Sequence, residues 1–205
     1  MIALGWTKSK RTPPGVITCK GDGPIRILCA PPCSAISAHD RLTQQVRCFE
    51  AGLDFLPIAP LQSIPLRDAT GFLSDARLSP LLDRLASKGQ LTISLKLPMD
   101  KRRPVTGGRH WLIARKAHRD LCNEYEDILL GIANATDLPQ SPVRRTAEAV
   151  QCDILVDRST AHTLKARLMA DLPARQELSQ KDVLITGLWP AFGFADLPVM
   201  GTIAA

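Results

Sequence analysis

Four spacings in the sequence bring together residue types that carry chemistry. Cys29-Xaa3-Cys33 followed by His39, with Cys48 further on, has the donor types of a zinc site. Zinc needs four convergent N or S ligands, usually from two close pairs. Here there is one close pair, and Pro31-Pro32 lies inside it, so buried or surface thiols are the better reading. Six cysteines (Cys19, Cys29, Cys33, Cys48, Cys122, Cys152) and four histidines (His39, His110, His118, His162) leave a Cys–His nucleophile pair open in principle. None of these cysteines lies in a recognisable nucleophile motif. Thr106-Gly107-Gly108-Arg109 resembles a phosphate loop but lacks the longer glycine spacing and the Lys-Ser/Thr ending, so it reads as a tight turn. The fourth is Thr186-Gly187-Leu188-Trp189-Pro190-Ala191-Phe192-Gly193-Phe194, which places Trp189, Phe192 and Phe194 in a short span with two glycines and a proline. Such a segment either plugs a core or offers a rigid apolar contact surface.

No catalytic set emerges from these residues, and the chain reads as a non-enzyme with no metal and no cofactor. Its 205 residues suit one large or two small domains. With 45% hydrophobic and 22% charged residues, a buried core follows. Aromatics make up 4%, so that core is aliphatic. The net charge of +6 is spread over short clusters, Lys8-Ser9-Lys10-Arg11, Lys101-Arg102-Arg103 and Arg144-Arg145. They lack the interleaved aromatics of a nucleic-acid surface, which argues against direct nucleic-acid binding. No apolar run reaches the length of a membrane span. Met1 to Trp6 is too short for a signal-peptide core, so the expected location is the cytoplasm, with reduced thiols.

The elements that position these residues follow from periodicity. Residues 25–30 read as a strand. Ser37 caps a helix with Asp40 in its first turn and Leu42, Val46, Phe49 and Leu53 along one stripe, ending near Gly52. Residues 54–73 hold three prolines and predict an extended segment without long elements. Ser79-Pro80 opens a short helix that Lys88-Gly89 closes. Leu91 to Leu97 alternates apolar with polar, as in a half-buried strand. A basic linker or hairpin, 99–108, leads to a long helix over about Ile113–Ala135, striped by Leu121, Tyr125, Ile128 and Ile132. Strands at Val143–Ala147 and Val150–Val156, a helix capped by Ser159 or Thr160 and stopped at Asp171-Leu172-Pro173, and a strand at Val183–Ile185 complete the order. This mixed order predicts an α+β protein in two lobes, residues 1–98 and 109–205.

Leu184-Ile185-Thr186-Gly187, Trp189-Pro190 and Phe194 match the ending of the gas vesicle protein family GvpF/GvpL, a strand running into Thr-Gly-Pro-Trp-Pro-Pro-Tyr-Ser-Phe. Leu188, Ala191, Phe192 and Gly193 replace the family's Pro, Pro, Tyr and Ser. Residues 149–158 resemble the family's "aYLVd" strand, with Ile154 in place of its tyrosine. Gly108 to Lys116 is similar to its entry into the long helix, with Trp111 as the aromatic. The resemblance covers about Leu53 to Phe194 and fades towards the N-terminus. It implies a ferredoxin-like N-terminal domain and a C-terminal α/β domain with one long helix. It also implies a part in gas vesicle assembly, binding or chaperoning the wall protein GvpA beside other accessory proteins, in the wall or in building it. Trp189, Phe192 and Phe194 are then candidate partner contacts. The alternative is a small-molecule or nucleic-acid binding regulator on a ferredoxin-like scaffold, a fold that hosts many functions.

Overall fold

A computed structural model describes residues 1–20, 23–31, 36–59, 61–98, 108–175, 178–179 and 182–195. The chain packs as two compact units. One comprises Met1–Gln90 with Trp189–Ala205, the other Leu91–Leu188.

The first unit is built on β1 (Ile2–Thr7), which pairs antiparallel with β3 (Arg26–Cys29) on one side and with β4 (Leu56–Pro57) and β5 (Ile64–Pro65) on the other. β2 (Ile17–Lys20) forms the outer edge beside β3. Residues 3–7 are all buried. A strand covered on both faces reads as an unbroken apolar run, without the alternation that marks a half-exposed one. Nothing in the pattern of Ile2 to Trp6 therefore separates it from a short apolar tail. Gly5 is required where it stands, because a Cβ there would collide with the Leu56 carbonyl of the neighbouring strand. Trp6 is 2% exposed, donates its Nε1–H to Ala69 O at 3.3 Å and meets Phe72 edge-on at 5.6 Å.

α1 (Ala38–Glu50) begins as expected. Ser37 Oγ accepts from Asp40 N, and the Asp40 carboxylate accepts from the Ser37 hydroxyl and from Ser37 N; these last two bonds, the hydroxyl first, hold the Asp40 carboxyl below its usual range. Gly52 follows at φ 79, the left-handed position that favours glycine. The buried face is turned from the predicted stripe: Arg41, Gln45, Cys48 and Phe49 lie inside, while Leu42 and Val46 are half-buried. Gln45 is inside because its Nε2 donates to Leu4 O and Ile58 O, both at 2.7 Å.

Residues 54–74 hold short pieces: β4, β5, α2 (Leu66–Thr70) and a 3-10 turn at Gly71–Ser74. α3 (Leu78–Leu85) starts earlier than the Ser79-Pro80 signal, and Pro80 is tolerated because first-turn N–H groups have no intrahelical acceptor. Lys88-Gly89 does not close it. Ser87 takes the left-handed turn at φ 58, its N–H donating to Asp54 Oδ1, and Lys88 already belongs to the next strand.

The second sheet contains β6 (Lys88–Lys96), β7 (Arg144–Arg145), β8 (Ala149–Asp157) and β9 (Val183–Trp189) in the order β7-β8-β6-β9. Lys96 N donates to Asp182 O and Leu97 N to Glu148 O, so the end of β6 meets the starts of its neighbours, as antiparallel pairing requires. With α4 (Gly108–Thr136) between β6 and β7 and α5 (Ala161–Arg175) between β8 and β9, the unit reads β-α-β-β-α-β, the ferredoxin-like connection. The expected α+β class, with two sheets and one long helix, is present. The ferredoxin-like plan, expected in the N-terminal domain, belongs to the second unit, because the alternating strand of residues 91–97 opens this sheet.

One face of β8, Val150, Cys152, Ile154 and Val156, is buried to 1% exposure or less, and packs with Leu91, Ile93, Tyr125, Ile128 and Leu129. α5 does not stop at Asp171-Leu172-Pro173. It runs to Arg175, and Leu172 is buried in the core. The basic linker falls largely at 99–107, outside the described residues.

Candidate interaction surfaces

The terminal aromatic segment leaves β9 and turns through a 3-10 helix at Phe192–Phe194. Gly187 holds φ 111, a backbone position that glycine adopts freely. From Trp189 onward the chain groups with the first unit, whereas the sequence places it in a C-terminal domain of residues 109–205. There Gly193 N donates to Gln90 Oε1 at 2.7 Å, and Arg84 Nη2 donates to Phe194 O at 3.2 Å. Phe194 is 6% exposed. Trp189 and Phe192 are half-buried, so each shows part of its ring to solvent. Of the three predicted contact residues, Phe194 therefore serves as a plug, and Trp189 and Phe192 keep accessible surface.

Two strand edges offer backbone groups. In the first sheet β2 is one edge, with Ile17 exposed. In the second one edge is the longer β9, with Leu184 44% exposed among buried neighbours Val183 and Ile185. An edge strand with an outward leucine is suited to accepting another strand.

A third surface was not foreseen in the sequence. All residues of α4 from 108 to 120 are exposed, among them Trp111, Leu112 and Ile113. Arg115 lies over the Trp111 ring, 5.0 Å from its centroid. Behind this arm a cleft of about 720 Å³ is bordered by Leu112, Arg115, Lys116, Arg119 and Arg145. Arg145 is held there by Glu126 and by Asn123 Oδ1. The sequence places the start of this helix at about Ile113, five residues later than α4 begins, and the same apolar letters serve equally well in a core.

The thiols are placed for packing. Cys29 Sγ lies 3.7 Å from Cys19 Sγ, and burial pushes the Cys29 thiol up to about 12. Burial likewise raises Cys48 to about 11 and Cys152 to about 12. A nucleophilic thiol needs the opposite shift. Cys122 Sγ is 3.7 Å from His118 Nε2, one helical turn away, and is itself buried. Cys33, Thr106 and Gly107 lie outside the described residues, as does Lys101-Arg102-Arg103. Among the described residues no group of three or more His, Cys, Asp or Glu is placed to hold a metal. No described helix is long and apolar enough to cross a membrane.

These observations define a two-unit α+β protein with a ferredoxin-like second unit, an edge strand at β9 and an exposed N-terminal half of α4. Two solved structures share that architecture. The gas vesicle protein GvpF from Anabaena sp. PCC7120 superposes with a TM-score of 0.66 at 13% identity, covering 96% of each chain. GvpF from Microcystis aeruginosa gives 0.64 at 12% identity, covering 96% of this chain and 99% of that one. No protein-family model and no characterised protein sequence matches the chain. The fold is thus that of GvpF, as the terminal motif led one to expect.

Proposed function

We propose that this chain is a gas vesicle accessory protein of the GvpF/GvpL type, which binds the wall protein GvpA and acts in vesicle assembly. The observation that carries the reading is the shared fold over 96% of both chains, joined to an independent sequence signal, the Thr186-Gly187 and Trp189-Pro190 ending. Wall subunits of an air-filled shell expose apolar surface and strand edges before they assemble, and such surfaces aggregate unless covered. In this reading the β9 edge with Leu184, or the accessible rings of Trp189 and Phe192, holds a subunit until delivery. The protein then acts by binding, in the cytoplasm and at the growing vesicle, and not by catalysis.

The test is affinity capture of GvpA by the tagged full chain from cells making both. Capture is expected. It should fall for Leu184→Lys, or for Trp189→Ala with Phe192→Ala, while circular dichroism and melting show a retained fold. Failure of the folded wild-type chain to capture GvpA would sink the reading. Undiminished capture by both folded variants would remove these surfaces from it.

A further inference from the structure

One face of α4 sorts its charges by sign along the helix. Arg109 and Lys116 lie in the N-terminal half, and Asp120, Glu124 and Asp127 in the C-terminal half. Their three- and four-residue steps bring them onto one side of the helix, with Ile113 between the two cations. All of these residues are exposed, and Leu112 and Ile113 are 60% and 58% exposed. The acidic half borders a cleft of about 640 Å³ whose apolar wall is Ile128, Ile132 and Leu172. Gly131 lines it too. A Cβ at that position would meet nothing within 4 Å, so no packing in its own chain calls for a glycine inside this long helix.

A face that is basic at one end and acidic at the other complements its own copy when that copy is reversed. Two α4 helices set antiparallel place Arg109 opposite Asp127 and Lys116 opposite Asp120. The exposed Leu112 and Ile113 then lie opposite Glu124 and Asn123, at the near end of the partner's cleft. A parallel arrangement sets like charge against like. A separate acidic partner would match the cations but would meet repulsion from Asp120, Glu124 and Asp127. We propose that the chain forms a two-fold homodimer through antiparallel pairing of α4. The same patch then serves both copies, and the interface closes on itself. This rests on α4 alone and is independent of the gas vesicle reading.

Sedimentation velocity on the full chain tests it, over a concentration series at low and at high salt. A dimer that weakens with added salt is expected. Two charge-reversed variants sharpen the test: Arg109→Glu with Lys116→Glu, and Asp120→Lys with Asp127→Lys. All four residues are exposed, so melting should confirm that each variant folds. Each variant alone is expected to be monomeric, and an equal mixture should form a one-to-one heterodimer. The proposal is overturned if the wild type is monomeric throughout or assembles beyond a dimer. It is overturned equally if either variant alone dimerises like the wild type, or if the mixture stays monomeric.

Discussion

Gln45 is a buried amide that ties α1 to two stretches of backbone, through Leu4 O and Ile58 O. Replacing it with leucine keeps roughly the volume and removes the donor to Ile58 O, while Leu4 O keeps its bond from Ile58 N. The expected loss is about 1–3 kcal/mol, the usual cost of an unsatisfied buried acceptor, read as a lower urea midpoint at unchanged slope. The thiols give a pH prediction. Cys29 and Cys152 are raised from 9.0 to about 12 and Cys48 to about 11, each chiefly by burial. Below pH 9 these thiols are protonated in both folded and unfolded chains, and their ionisation costs nothing. Above it the unfolded thiols ionise first, so stability should fall as pH rises from about 9 towards 12. Equilibrium denaturation across that range checks it, and Cys152→Ala should flatten the slope. Native-state alkylation at pH 8 should leave these three cysteines unmodified. Their chemistry was legible only as a list of types in the sequence, because thiol reactivity depends on burial.

At the scale of elements, local signals worked where a few neighbouring residues decide the outcome. The Ser37–Asp40 cap and the apolar face of β8 formed as their spacing requires; in β6 Leu91, Ile93 and Leu95 are buried as expected, but Ser94 on the opposite face is buried as well. They failed where a distant group intervened. Ser87 turns where Lys88-Gly89 was expected to, because Asp54 reaches its N–H. Gly131 offers a clean test of α4. With open space around it, Gly131→Ala should stabilise the fold by about 0.5–1 kcal/mol through helix propensity alone, measured by thermal or urea melting. Asp153 tests β8. It is fully buried and accepts from Thr92 Oγ1 at 2.7 Å, with Arg144 Nη1 at 2.7 Å from its other oxygen. Asp153→Ala leaves those donors without their acceptor and should cost about 2–4 kcal/mol.

For the whole molecule, the terminal segment belongs to a unit it does not adjoin in sequence. Deleting residues 189–205 removes buried Phe194, whose carbonyl accepts from Arg84, and Gly193, whose N–H donates to Gln90. Loss of that ring alone is worth about 1.5–3 kcal/mol. Hydrogen exchange should then rise across residues 1–90 and change little in the sheet of residues 91–188. Uniform protection in both units after truncation would contradict the plug. The sequence by itself determined the α+β class, the long helix and the order of most strands, since each rests on spacing within a short window. The tertiary structure decided the rest. It made β1 a central strand, assigned the ferredoxin-like plan to the second unit, buried Phe194 and left the first turns of α4 in solvent. These outcomes depend on which distant residues cover a given face, and an apolar letter reads the same whether or not anything covers it.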